Sequence, residues 1–157
     1  MTDEPDPGLM LRKPRDPKVP VFNRTTGTRW IIVGLLLGVC ALIPLVWGPD
    51  EPQIDAPSVS MTMTYAVTAL ATVGLGVVSR RDPGPFWYGP VFPFFMWLSI
   101  PAAVTWLGVE LPLLQRWLDT TSLTGSQWLA VFTLSLAVPI IVELEKAYRR
   151  YRTRTHQ

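Results

Sequence analysis

A single cysteine and a single histidine stand among 157 residues. A disulfide within the chain is therefore excluded, and a zinc site of Cys and His ligands nearly so. Charge is scarce as well. Asp, Glu, Lys and Arg make up 17%, whereas a soluble domain carries about 25%. The formal net charge is +2, too small for a nucleic-acid surface. No glycine loop that cradles phosphate, no nucleophile–histidine pair and no aspartyl phosphorylation motif is present. His156 lies one residue from the end, a solvated position. These absences argue against a soluble enzyme and against nucleic-acid binding, and no cofactor is expected.

The charges that exist are segregated. Residues 1–29 hold ten of the 26 Asp, Glu, Lys and Arg residues, and residues 143–157 hold seven. Between them run four apolar stretches: 30–47, 59–79, 91–109 and 127–143. A bilayer crossing needs roughly 17–25 such residues. Hydrocarbon offers backbone N–H and C=O groups no partner, so each stretch should be a helix. The expected fold is an all-α membrane protein with four transmembrane helices and short loops. Trp30 and Trp47 bracket the first stretch, Trp87 and Tyr88 precede the third, and Trp128 begins the fourth. These rings favour the headgroup level.

Lys and Arg fix the expected orientation. Thirteen lie in the N-terminal tail, the second connection and the C-terminal tail, and one, Arg116, lies in the third connection. The positive-inside rule then puts both termini in the cytoplasm, and the plasma membrane is the expected location. The chain divides into an arm (1–29), the bundle (30–145) and a basic tail (146–157). Pro5, Pro7, Pro14, Pro17 and Pro20 prevent a continuous helix in the arm. It reads as an extended segment along the cytoplasmic face. Its acidic, proline-bearing start is unlike a signal peptide.

Inside the spans, Gly34 and Gly38 are four apart, a flat patch that another helix could approach closely. Thr64, Thr68, Thr72 and Gly76 continue one helical face of the second span. Hydroxyls so placed could line an aqueous path, with Thr68 and Thr72 as weak metal candidates. The favoured reading has them bonding to the preceding turn or to a neighbouring helix. Pro44, Pro101 and Pro139 read as tolerated kinks, and Cys40 as a small apolar packing residue. No Asp, Glu, Lys, Arg or His interrupts the four cores; Glu143, at the end of the fourth stretch, comes nearest. Such a residue would mark an ion path or proton relay. Glu143–Lys146 and Glu145–Arg149 have the spacing of local helix pairs.

Three stretches carry a family likeness: PGLMLRKPRDPKVPVF (7–22), Thr62-Met63 through to Ser79-Arg80-Arg81-Asp82, and LLQRWLDTTSLTGSQWLAVFTLSLAVPIIVELEKAYRR (113–150). The chain resembles the C-terminal membrane segment of P-type cation-transporting ATPases. The resemblance implies that the four spans correspond to the seventh to tenth helices of such a pump. It also implies that nucleotide binding, phosphorylation and most cation ligands belong to parts of the family fold that precede this segment. One family ligand is a Glu ten residues after the Thr of the Thr-Met pair; the matching position is Thr72, and Leu75 and Val78 replace nearby asparagines.

Three functions stay open. The chain could be a non-catalytic scaffold supporting cation transport by a partner, such as a truncated P-type ATPase core, or a remnant of such a pump. It could be an accessory subunit of an unrelated membrane complex, docking through Gly34 and Gly38 or the arm. It could be a small self-assembled channel with Thr64, Thr68 and Thr72 facing a pore. The expected partners are the lipid bilayer and other membrane chains, with Gly34, Gly38 and Gly76 as packing positions.

Overall fold

The computed structural model describes residues 24–52, 56–79 and 92–154. Five helices follow one another: α1 (Arg24–Trp47), α2 (Val59–Ser79), α3 (Phe92–Glu110), α4 (Pro112–Leu118) and α5 (Gly125–Arg154). No strand occurs among the described residues. α1, α2 and α5 are each long and apolar enough to cross a membrane. α3 and α4 together make a fourth candidate, broken at Leu111 by a 91° bend. The proline-rich stretch before residue 24, along with Trp87 and Tyr88, lies outside the described residues.

Two helices run further than the apolar pattern alone indicates. α1 begins at Arg24, inside the segment read as an extended arm. α5 continues through the basic tail to Arg154. Its charges explain the extension. Glu143 pairs with Lys146 at 3.3 Å and Glu145 with Arg149 at 3.3 Å, so polar residues carry the helix out of the apolar zone. Its start is marked by Thr124 and Gln127. The Thr124 amide donates to Gln127 Oε1 at 2.7 Å, half of a capping box.

α2 is the hub. It packs against α1, α3 and α5, while no Cα of α3 comes within 8 Å of one in α5 among the described residues. The shared core is built mostly from small side chains: Ala66, Val67 and Ala71 of α2, Cys40 of α1, Val109 of α3, Val131 and Val138 of α5, with Met63 and Leu123 as its larger members. Small residues let backbones approach, which is how helices associate where lipid removes the hydrophobic drive. Larger apolar residues point outward, including Ile31, Leu35, Leu129 and Ile140. Water would disfavour such a surface, and acyl chains solvate it.

Candidate functional site

α2 has two distinct long faces. Ser60, Thr62, Met63, Ala66, Val67, Ala71 and Val78 are buried. Met61, Tyr65, Thr68, Thr72, Gly76 and Ser79 form the opposite, exposed stripe. Thr64 Oγ1 donates to Ser60 O at 2.9 Å, Thr68 Oγ1 to Thr64 O at 2.8 Å and Thr72 Oγ1 to Thr68 O at 2.7 Å. Each hydroxyl proton is thus committed to its own helix. What remains outward is a narrow track of methyls, oxygens and the bare backbone of Gly76.

α1 offers a similar track. Gly34 and Gly38 are exposed, between Ile31, Leu35 and Leu42. A Cβ added at Gly34, Gly38 or Gly76 would meet nothing within 4 Å. None of the three is used to join the described helices. The internal close approaches fall on other glycines. A Cβ at Gly74 would lie 3.0 Å from Pro139 Cγ, and one at Gly108 would lie 3.2 Å from Leu118 Cδ1. Gly48 is tighter still, because a Cβ there would collide with Ser60 Oγ and the Pro44 carbonyl.

The two ends of the bundle are pinned by polar clasps. At the loop end, Asp50 accepts the Val59 and Ser60 amides at 2.7 Å each, and the Ser60 hydroxyl at 2.6 Å. Ser58 adds a weaker cap on Met61 N at 3.4 Å. A carboxylate on the first turn of α2 satisfies donors left open by the helix and complements its dipole. Partial burial pushes the Asp50 pKa up, but the hydrogen bonds from Ser60, Val59 and Ser58 outweigh it and hold the carboxyl below its usual range. Trp128 Nε1 donates to Glu110 Oε1 at 2.9 Å, and the Thr121 amide donates to Thr62 Oγ1 at 3.0 Å.

At the termini end, Lys146 is fully buried and donates to the Val78 carbonyl near the end of α2 as well as to Glu143. Arg150 reaches the same Glu143 at 3.4 Å, and Arg29 of α1 reaches Glu145 at 3.4 Å. Spacing identifies the pairs along α5 but not the bond to α2, since it does not say which side of α5 meets another helix. A tertiary lysine cap of this kind has one weak sequence signal, a lone Lys at the boundary where an apolar helix turns charged.

No chemistry converges anywhere in the described part. No group of three or more His, Cys, Asp or Glu side chains is arranged to hold a metal. The cleft of about 490 Å³ between α2 and α5 is lined by Gly74, Val77, Leu136, Pro139 and other apolar groups. Its polar members, Glu143 and Arg150, are paired with each other. The arrangement is a packed bundle with two uncovered tracks among the described residues.

The chain is 26% identical over 141 residues to a "Calcium-transporting ATPase" of Bacillus subtilis (strain 168); the match covers 87% of this chain and 15% of that protein. The chain thus spans a small part of the length of the curated relative it matches. The catalytic domains of such pumps lie outside this matched region. The family described as "Cation transporting ATPase, C-terminus" matches residues 1–148, nearly the whole chain, and the protein belongs to that family.

Proposed function

We propose that this chain is a non-catalytic membrane support for cation transport, packing beside the transport helices of a P-type cation ATPase. The observation that carries the reading is the split of α2 into a closed inner face and an open outer track, with Thr68, Thr72 and Gly76 exposed. A helix meeting that track could approach closely, as could one meeting Gly34 and Gly38. In this reading Thr68 and Thr72 are contact residues and not a cation ligand set. Thr72 stands at the position matched to the family's glutamate ligand. The support would therefore sit next to the ion path without binding the ion.

The same reading takes α1, α2, α3 and α5 as four spans with both termini in the cytoplasm of a plasma membrane. The nineteen residues of α3 rise about 28 Å at about 1.5 Å each, close to the roughly 30 Å of hydrocarbon. Purification in mild detergent with mass spectrometry of co-purifying chains tests the partner. A pump polypeptide bearing nucleotide-binding and phosphorylation domains supports it. An unrelated complex in its place overturns it. So does cation flux through the pure chain in liposomes, with calcium the first cation to test.

A further inference from the structure

α4 is too short to cross anything, and its surface is unusual. Its 91° bend from α3 turns the chain from the direction of a spanning helix into the plane at the loop end of the bundle. Around a helix of 3.6 residues per turn, Arg116, Leu113 and Trp117 fall within about 100° of arc. That arc is outward: Leu113 is 71% exposed and Trp117 83%. Leu114 and Gln115, on the other side, are half-buried.

The inner side is firmly held. Gln115 Nε2 donates to the Val109 carbonyl at 2.6 Å, and Leu118 Cδ1 packs toward Gly108. Pro112 starts α4 where its missing N–H costs nothing. Asp119 ends it in the left-handed region at φ 48°, a conformation Asp tolerates better than most residues. Thr120 Oγ1 then returns the chain to the Gly108 carbonyl at 2.7 Å. The orientation of α4 is thus fixed by bonds on both flanks, and its most apolar residues are the ones left uncovered.

The exposed pair continues a surface that is already apolar and outward. Ile100, Val104 and Trp106 of α3 are exposed, as is Leu111 at the bend. Trp47, 80% exposed at the end of α1, stands at the same end of the bundle. Exposed tryptophans at one end of a membrane bundle, here Trp47 and Trp117, favour the headgroup zone. The cation of Arg116 beside Leu113 and Trp117 complements lipid phosphate.

We propose that α4 is an interfacial anchor. It lies in the headgroup layer at the loop end, with Leu113 and Trp117 dipping among the lipid chains and Arg116 at the phosphates. Short amphipathic helices bury an apolar face about 5–10 Å into this boundary. Such an anchor would set the depth of α3, which meets α5 through the Trp128–Glu110 hydrogen bond at its end and lacks the long contact that α5 makes with α2. The inference rests on the reading of α3 as a span.

The test uses the full chain with Cys40→Ala, reconstituted in phosphatidylcholine vesicles containing phosphatidylglycerol. Single nitroxide labels are placed by Leu113→Cys, Trp117→Cys, Val104→Cys and Ser122→Cys, all exposed positions whose change disturbs no packing. Relaxation by oxygen reports lipid, and relaxation by a water-soluble nickel chelate reports solvent. The expected result is oxygen-favoured labels at 113 and 117, several-fold less open to nickel than 122 and shallower than 104. As a second readout, lipids brominated near the carbonyl should quench wild-type fluorescence more than that of Trp117→Phe. Labels at 113 and 117 as wet as 122, with 104 buried in lipid, would overturn the anchor alone. Labels closed to both reagents would overturn it in favour of a protein partner. A nickel-accessible 104 would remove the span of α3 and the anchor with it.

Discussion

Gly74 and Gly76 sit two residues apart on α2 and look alike in sequence, yet they do opposite work. Gly74 faces α5, where a Cβ would press on Pro139 at 3.0 Å. Gly76 faces outward, where a Cβ would touch nothing. The contrast extends to the whole helix. The inner face is closed by small side chains and by Lys146, and the outer face carries Thr68 and Thr72 with their protons turned inward. A bundle that needed both faces for its own fold would not leave one so bare. The inner face makes the bundle, and among the described residues nothing covers the outer face, which the proposed function assigns to another helix.

The strongest way to break this comparison is at Lys146. Lys146→Met leaves the Val78 carbonyl and Glu143 without their buried cation. Losing a buried charged hydrogen bond should cost about 2–3 kcal/mol, read as thermal unfolding in detergent by circular dichroism. An unchanged midpoint would mean that α5 is not seated on α2 as described. Next is the glycine pair itself. Gly74→Leu should destabilise by about 1–3 kcal/mol through overpacking, while Gly76→Leu should stay within about 0.5 kcal/mol. Equal losses would erase the distinction between the two faces.

The clasp at the loop end sharpens the comparison further, because it seats the first turn of α2 through Ser60 of the inner face and leaves the outer track untouched. Asp50→Ala should cost about 1 kcal/mol, the usual value of a lost cap. The Asp50 pKa lies below its ordinary value, so its contribution is complete above about pH 4, the ordinary Asp pKa. It is lost as pH falls through the lowered folded value. Asp50→Asn should flatten that acid limb, as seen in unfolding midpoints measured down the pH scale. The smallest effect belongs to the outer threonines. Thr68→Val with Thr72→Val removes only bonds back to the preceding turn and should change stability by under about 0.5 kcal/mol.

The sequence carries much of the architecture because hydrocarbon permits so few solutions. An uncharged run such as 30–47 must be a helix, and α1 and α2 cover the stretches expected for them. Helix ends were less visible. Composition marks where apolar residues stop, whereas α5 runs on past them to Arg154, its first polar turns carried by Glu–Lys and Glu–Arg pairs. The bend at Leu111 and the short α4 fall in the third connection, expected only as a short loop, because seven residues are too few for an apolar pattern to mark a helix. The face of each glycine is not written locally at all. It depends on where Pro139 of α5 lands, which is a property of the assembled bundle.

The central claim is that the outer tracks of α1 and α2 exist for contact with transport helices. It is tested most directly by comparing co-purifying chains for the wild type and for Gly34→Leu with Gly38→Leu, after confirming equal unfolding midpoints. The account predicts a cation-pump polypeptide with the wild type and its loss from the double variant. Recovery of the same pump polypeptide in equal yield with both proteins would contradict it.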